Sequence, residues 1–430
     1  MTTDTSPAAT EQRAPKRRRR RKGRPHNHPR IPLTLELTGF APGGKAVAHA
    51  PDGRVVFVEY GIPGERVVAE IVEEHSNYIE ATTVAVERAA PTRVEPRCQY
   101  FGRCGGCQLQ HIDYDEQLAL KTGVVREQLR RIGRFEEPEI DTVLRDMLGM
   151  QRPWAYRNHM RFTVRRDGDV GFMERGTHRF LRIDHCEIAV DRVNEVLALT
   201  QGRTMQTRQL SVRVGEHTGD ELIQPKLSWR PSARWPRVRS GQRRYSEKLL
   251  GQTYRISAAA FFQVNSRQAE RLVQLVIDHV EAARPSVVVD AYAGVGTFAA
   301  QLSRSVETVI TIEESAAAGS DATLNLGDLD NVRRVIGKVE QTLPNLRPSP
   351  DVVVIDPPRV GIAREVIDAI LASTARRVVY VSCDPATLAR DLRLLVDGGL
   401  TLTEVQPVDM FPQTQHIECV TVLDRSASKA

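Results

Sequence analysis

Six cysteines occur in the 430-residue chain, and their positions suggest chemistry. Three form the run Cys98-x5-Cys104-Gly105-Gly106-Cys107, and a fourth is Cys186. The sequence shows neither a secretory signal nor an apolar run of membrane-spanning length, so we expect a reducing, cytoplasmic environment without disulfides. Four thiols at this spacing then predict a four-thiolate metal site, for which zinc and an iron–sulfur cluster are the candidates. Spacing alone slightly favours zinc.

The fifth cysteine, Cys383, is predicted to end a strand just before a helix begins at Asp384-Pro385. A free cysteine is most often a small buried apolar residue. At the edge of the sheet where active sites form, and at a helix N-terminus expected to lower the thiol pKa, Cys383 is instead predicted to be a nucleophile. The sixth, Cys419, directly follows Glu418.

Glu418 is the candidate general base. It lies on a predicted strand between Ile417 and Val420, where burial would raise its pKa towards the useful range. The alternative is an edge-strand glutamate that faces water.

A glycine-containing loop, Asp290 to Thr297, follows a predicted strand and includes Gly294 and Gly296. Such a loop allows a close backbone approach to a ligand, and Glu313 ends the next strand, where a carboxylate can accept hydrogen bonds from ribose hydroxyls. The dinucleotide pattern is incomplete because Ala299 takes its third glycine position. The loop therefore favours S-adenosylmethionine over NAD.

Residues 261–430 alternate predicted strands and helices, with β-branched strands at 287–290, 306–312, 352–355 and 378–381. Asn265 can cap the first helix, with Gln268 three residues later. Two further strands are expected near 401–408 and 417–423. Alternating units of this kind predict an α/β fold with a parallel, doubly wound, Rossmann-like sheet.

The preceding residues divide into three predicted parts. Residues 1–30 carry ten Lys/Arg against two Asp/Glu and predict a disordered basic tail that binds polyanions. Residues 31–90 alternate apolar and polar residues between Gly and Pro turns, which predicts a small OB-like β-barrel. Residues 91–260 predict a central α+β region containing the cysteine cluster, and from 152 to 248 it holds 20 basic and 11 acidic residues.

The run from Gly43 to Glu65 resembles a TRAM domain, a five-stranded OB-like RNA-binding module. Nearly the whole chain after the tail resembles the RNA uracil-C5 methyltransferase family. The resemblance is carried by the TRAM-like barrel, the four clustered cysteines and the following motifs: Pro153-x-x-Tyr156-Arg157-Asn158, Phe261-Phe262-Gln263-Val264-Asn265, Asp356-Pro357-Pro358-Arg359, Ser382-Cys383-Asp384-Pro385 and Asp409–Glu418.

The resemblance implies a role for each matched residue. It implies that Cys383 is the nucleophile and Glu418 the base. It implies that S-adenosylmethionine is held by Gln263, Tyr292, Glu313 and Asp356. It further implies that a 4Fe–4S cluster is ligated by Cys98, Cys104, Cys107 and Cys186. Four ligands close the site, which favours a structural role over a radical one.

Two positions depart from the family pattern. Lys338 stands where a polar or acidic residue usually lies near the adenine, and Glu340 can substitute for it. Gln413 replaces a common histidine of the last motif, while His416 and Glu418 remain.

The resulting hypothesis is a cytoplasmic, monomeric methyltransferase that makes 5-methyluridine in structured RNA, with 23S rRNA favoured over tRNA and no membrane or obligate protein partner. One rival is an RNA-binding module without catalysis. Another is methylation of an amino group at Asp356-Pro357-Pro358, which Arg359 disfavours because an aromatic residue usually follows that motif. The second rival predicts that Cys383→Ala stays active.

Overall fold

The computed structural model describes residues 32–228 and 238–425. The basic tail predicted for residues 1–30 lies outside these residues. Within them, no helix has both the length and the apolar character needed to cross a membrane.

The first sheet is a barrel-like module of six strands in the order β1-β5-β6-β4-β3-β2. Alternate apolar side chains, such as Leu35, Val56 and Val67, fill its interior. Five strands were expected; the sixth is the short β2, which pairs with β3. The strands are β1 (Leu33–Glu36), β2 (Gly39–Ala41), β3 (Lys45–His49), β4 (Val55–Glu59), β5 (Arg66–Glu74) and β6 (Tyr78–Arg88).

The central part combines helices with a five-stranded antiparallel sheet in the order β11-β10-β7-β8-β9 and a separate hairpin, β12-β13. Its elements are α1 (Tyr114–Arg131), α2 (Glu137–Val143), β7 (His159–Val164), β8 (Val170–Met173), β9 (Phe180–Arg182), α3 (Asp191–Thr200), β10 (Gln209–Val214), β11 (Glu221–Gln224), β12 (Arg244–Leu249) and β13 (Gln252–Ser257).

The C-terminal part is a seven-stranded sheet in the order β16-β15-β14-β17-β18-β20-β19. Strands β14 to β18 pair in parallel, and β20 pairs antiparallel with both β18 and β19. Its elements are α4 (Ser266–Ala282), β14 (Val287–Ala291), α5 (Thr297–Leu302), β15 (Thr308–Glu313), α6 (Ala316–Leu326), β16 (Val332–Ile336), α7 (Val339–Thr342), β17 (Val352–Ile355), α8 (Arg364–Ala372), β18 (Arg377–Ser382), α9 (Pro385–Asp397), β19 (Leu400–Val408) and β20 (Glu418–Arg425).

The predicted α/β fold is confirmed, and the sheet has its switch point between β14, β15 and β17. After β14 the chain turns first to β15 on one side and later to β17 on the other. Ligands bind beyond the carboxyl ends of the strands at such a point. The glycine loop after β14 therefore lies where a cofactor is expected.

Helix α1 packs into the core of this sheet, although it lies more than a hundred residues before the first strand of the sheet. Its buried Val124, Val125 and Leu129 share one apolar cluster with sheet residues such as Val353 and Val378. This packing ties the segment after the clustered cysteines rigidly to the sheet.

Candidate active site

Cys383 and Glu418 lie opposite each other at the carboxyl edge of the sheet. Strand β18 ends at Ser382, which pairs with Cys419 of β20, so the next residues in antiparallel register are Cys383 and Glu418. The Glu418 charge is near enough to raise the pKa of the Cys383 thiol. The structure therefore brings the predicted nucleophile and the predicted base together.

Asp356 lies at the same edge, directly after β17, the parallel neighbour of β18. Burial raises the pKa of Asp356 to about 7. Burial also raises the pKa of Glu418 well above its ordinary value, and the Asp356 charge raises it further. Two neighbouring buried acids disfavour each other's ionisation. The raised Glu418 pKa agrees with the sequence prediction.

The predicted low pKa of the Cys383 thiol is wrong. Burial, followed by the charge of Glu418, raises this pKa to about 11. The helix N-terminus gives the thiol little support because the Asp384 carboxylate already accepts hydrogen bonds from the amides of Ala386 and Thr387, at 3.1 and 2.9 Å. A capping carboxylate satisfies these donors and offsets the helix dipole. At neutral pH the resting sulfur is a thiol.

We expect the reaction of Cys383 with RNA to accelerate with pH. Only the thiolate adds to carbon, and below a pKa of about 11 its fraction rises about tenfold per pH unit. The test is the single-turnover rate of adduct formation on RNA containing 5-fluorouridine, at saturating S-adenosylmethionine, from about pH 7 to about pH 9. A rate independent of pH over this range would contradict a protonated resting thiol.

Arg359 is a site residue that sequence reasoning used only to argue against an amine target. Its guanidinium lies 3.3 Å from Nδ1 of His416, and its charge lowers the pKa of both Cys383 and Glu418. It is therefore a cation that favours the charged forms of both Glu418 and Cys383. Its place directly after Asp-Pro-Pro at a strand's carboxyl end was the signal that could have identified it.

The glycine loop after β14 is shaped as a cofactor loop. Gly296 has a φ of 86°, and a Cβ there would lie 2.7 Å from the Leu326 side chain, so only glycine fits. The Gly294 amide donates to Glu313 at 2.8 Å, which joins the loop to the predicted ribose-binding acid.

Asp290, at the base of this loop, was not among the predicted site residues. One carboxylate oxygen accepts a hydrogen bond from the Ala299 amide at 3.0 Å, while the other has no partner among the described residues. Burial, followed by the smaller effects of the Asp356 and Glu313 charges, raises the pKa of Asp290 to about 8. These three carboxyls therefore form one acidic group around the loop.

A cavity of about 490 Å³ opens beside the loop, a volume that suits a nucleoside-sized ligand. Of the four predicted S-adenosylmethionine residues, only Tyr292 lines it; Gln263, Glu313 and Asp356 do not. Lys338 and Glu340 line the same cavity and form an ion pair at 4.0 Å. Lys338, which departs from the family pattern, and Glu340, its expected substitute, therefore face the same cavity.

The four clustered cysteines approach one another as a group. The charges of Cys98, Cys104 and Cys186 each raise the pKa of Cys107, after the larger effect of burial. Burial likewise raises the pKa of Cys186 to about 11. Gln110 joins two members, since it accepts a hydrogen bond from the Cys98 amide at 3.0 Å and donates one to Cys107.

No cluster of three or more His, Cys, Asp or Glu residues within ranges 32–228 and 238–425 is gathered tightly enough to hold a metal ion. A zinc ion would need its sulfurs about 2.3 Å from one point. The all-cysteine donor set suits either a zinc ion or an iron–sulfur cluster.

Loop 409–417, between β19 and β20, leads directly into Glu418. Its first residue, Asp409, is fully buried and accepts hydrogen bonds from Lys121 at 2.7 Å and from the Tyr114 hydroxyl at 2.9 Å. Lys121 is 1% exposed. Helix α1 thus holds the start of the loop through a buried ion pair.

Replacement of Lys121 by methionine should destabilise the protein by about 3–5 kcal/mol, because Asp409 would keep a buried charge without its counterion. Thermal or denaturant unfolding measures the effect. Arg131→Ala on the same helix is the control, since Arg131 pairs with Glu127 at the surface and its loss should cost less than about 0.5 kcal/mol. Equal effects of the two substitutions would contradict the importance of the buried pair.

Comparison with known protein families gives two matches. The family described as tRNA (uracil-5-)-methyltransferase matches residues 348–426. These residues include Asp356, Cys383 and Glu418. The TRAM domain family matches residues 32–84, which include strands β1 to β5 and the first part of β6.

Whole-chain relatives cover almost the same length. An uncharacterized RNA methyltransferase of Gloeobacter violaceus is 37% identical over 92% of this chain and 96% of its own. Another uncharacterized RNA methyltransferase, of Streptomyces coelicolor, is 34% identical over 91% of this chain and 93% of its own length. Among solved structures, the Pyrococcus abyssi tRNA (uracil-54, C5)-methyltransferase in complex with S-adenosyl-L-homocysteine has a TM-score of 0.71 at 24% identity, over 91% of this chain and 99% of that one. That similarity supports the fold.

Proposed function

Because the chain belongs to the RNA uracil-C5 methyltransferase family, we propose that it methylates C5 of a uridine in structured RNA through a covalent bond to Cys383. The observation that carries the proposal is the opposition of Cys383 and Glu418 at the carboxyl edge of the sheet. Methylation at C5 requires both a nucleophile and a base at one place. The nucleophile is needed because C5 of uracil is by itself a weak nucleophile, and the base is needed to remove the C5 hydrogen afterwards.

The proposed reaction proceeds in two stages. Cys383 gives its proton to solvent and its sulfur adds to C6, which makes C5 an enolate carbon. C5 would then take the methyl group of S-adenosylmethionine, whose bond to that methyl group would break to leave S-adenosylhomocysteine. The Glu418 carboxylate then removes the hydrogen of C5, the electron pair restores the C5–C6 double bond, and Cys383 leaves as a thiolate. Covalent addition thus divides one difficult substitution into two easier steps.

S-adenosylmethionine supplies the electrophilic methyl group when it is bound. The Gly294–Gly296 turn lets the backbone approach this ligand, and Glu313 is proposed to accept hydrogen bonds from the ribose. Tyr292, which lines the cavity, and Asp356 and Gln263 are proposed to complete the site.

The RNA-facing surface is proposed to lie on the central region. Arg161, Arg165 and Arg166 are exposed on and just after β7. Exposed arginines favour binding to phosphates, and the target base must leave its stack to reach Cys383. We also propose that the protein acts as a cytoplasmic monomer without an obligate protein partner.

We further propose that Cys98, Cys104, Cys107 and Cys186 hold a 4Fe–4S cluster with a structural role. Support comes from the all-thiol donor set, whose members lie close enough for their charges to raise the pKa of Cys107. Iron and sulfide analysis of anaerobically purified protein tests the assignment. Equimolar zinc without iron would overturn it.

The preferred substrate is 23S rRNA, on the basis of the TRAM barrel combined with the cysteine cluster. The second candidate is tRNA, because the structural relative of Pyrococcus abyssi that spans the same parts is named for that substrate. Both candidates share the chemistry at C5.

The test is methylation of unmodified 23S rRNA and unmodified tRNA with tritiated S-adenosylmethionine, followed by nucleoside analysis. Label in 5-methyluridine from rRNA supports the full proposal, and label from tRNA alone overturns its rRNA part. RNA transcribed with 5-methyluridine in place of uridine is the matched control and should take no label. Label in an amino-methylated nucleoside would overturn the C5 chemistry.

A further inference from the structure

The loop that leads to Glu418 is held by the segment that follows Cys107. The Gln413 carbonyl accepts hydrogen bonds from the amides of both Gln108 and Leu109, each at 3.0 Å. Gln108 also accepts the Gln415 amide at 3.3 Å. Hydrogen bonds therefore join loop 409–417 directly to Gln108 and Leu109, the two residues that follow Cys107.

Tyr156 makes a second connection between the same two parts. Its side chain is fully buried, and its hydroxyl donates to the Pro412 carbonyl at 2.9 Å. Its ring belongs to a small apolar cluster that packs against Cys107 and Cys186. One end of this side chain thus contacts the cysteine site and the other holds loop 409–417.

We propose that Tyr156 is a positioning residue that couples the four-cysteine site to the placement of the Glu418 carboxylate. The proposal rests on the proposed function, because it assigns Glu418 to proton removal. Loop 409–417 ends where β20 begins with Glu418, so a displacement at Pro412 is passed along the last part of the same loop to Glu418, six residues later. Placement within a fraction of an ångström governs the efficiency of such a group.

The coupling acts on one step of the reaction. Addition of Cys383 and formation of the C5–methyl bond do not use Glu418. Proton removal from C5, with restoration of the double bond and release of the Cys383 thiolate, does use it. A misplaced Glu418 should therefore leave methyl transfer intact and trap the methylated RNA on the enzyme.

The test is Tyr156→Phe, which removes the hydroxyl but keeps the ring against Cys107 and Cys186. With ordinary uridine-containing RNA and labelled S-adenosylmethionine, a denaturing gel measures the fraction of chain bound covalently to RNA. We expect this fraction to rise about tenfold over that of the wild type, with an equal fall in turnover. Iron content and affinity for S-adenosylmethionine should be unchanged.

Tyr254→Phe is the matched control. Tyr254 is also fully buried, and its hydroxyl donates to the Thr297 carbonyl at 3.1 Å, away from loop 409–417. Tyr254→Phe also loses the hydrogen bond that the hydroxyl accepts from the Gln301 side chain at 3.0 Å, so a general loss of stability should be at least as large in this variant as in Tyr156→Phe. Adduct accumulation in Tyr254→Phe to the same degree would overturn the specific role of Tyr156.

The cysteine end of the connection is tested with Cys107→Ser, which should also raise the adduct fraction on ordinary RNA. If Tyr156→Phe shows the wild-type adduct fraction while the wild type forms an adduct with 5-fluorouridine RNA, the coupling is wrong and the proposed function stands. If no variant forms an adduct with either RNA, the proposed function itself fails.

Discussion

Substitution of Cys383 by alanine should reduce the methylation of RNA by roughly 10⁴-fold or more, because Cys383 is the nucleophile proposed to add to C6. Loss of a covalent nucleophile removes the route by which C5 becomes reactive. The measurement is incorporation of tritiated methyl groups into RNA, with binding of S-adenosylmethionine measured in parallel to show an intact cofactor site.

Cys419→Ala is the control for this experiment. Cys419 is a buried cysteine adjacent to the site, on β20, and its thiol has no part in the proposed chemistry. We expect it to retain activity within about threefold, with a small loss of stability from the missing sulfur. Full methylation by Cys383→Ala would instead support methylation of an amino nitrogen.

Glu418→Gln should stall the enzyme after methyl transfer. Glutamine cannot accept the C5 proton, so Cys383 stays bonded to the methylated base. We expect turnover to fall by about 10²–10⁴-fold and a denaturation-resistant complex with ordinary RNA to approach one RNA per chain. Gel electrophoresis of labelled RNA under denaturing conditions measures both the amount and the rate of adduct formation.

Glu404→Gln provides a matched glutamate on β19, the neighbouring strand of the same sheet. Its carboxylate pairs with His279 and Arg145 on the far part of the strand. It should behave as the wild type. Rapid turnover by Glu418→Gln, or a loss of activity without any adduct, would mean that another group removes the proton.

The sequence predicted the strands of the sheet where hydrophobic runs are continuous. Val287–Asp290, Val352–Ile355 and Val378–Val381 lie within β14, β17 and β18, because buried parallel strands read as β-branched runs. Asn265 caps α4 as expected, accepting a hydrogen bond from the Gln268 amide at 3.2 Å. These features depend on local sequence.

Strand β16 escaped prediction for a physical reason. It lies at the edge of the sheet, and Arg333 and Arg334 at its centre are exposed. An edge strand with charged side chains has no continuous apolar run. Only its pairing with β15 identifies it.

The site was predictable as a set of residues but not as a geometry. Cys383 and Glu418 meet because β20 inserts antiparallel between β18 and β19, a register that no local pattern reveals. The thiol pKa was predicted wrongly because Asp384 both ends the strand and caps the helix. The hydrogen bond from Tyr156 to Pro412 joins residues 256 positions apart, so only the folded chain shows it.

The covalent mechanism is tested most directly by mass spectrometry of the complex formed with 5-fluorouridine RNA and S-adenosylmethionine. Fluorine at C5 cannot be removed by a base, so the methylated adduct should persist through digestion. The mechanism predicts a peptide carrying methylated fluorouridine on Cys383. The absence of any adduct, or an adduct on another residue, would contradict it.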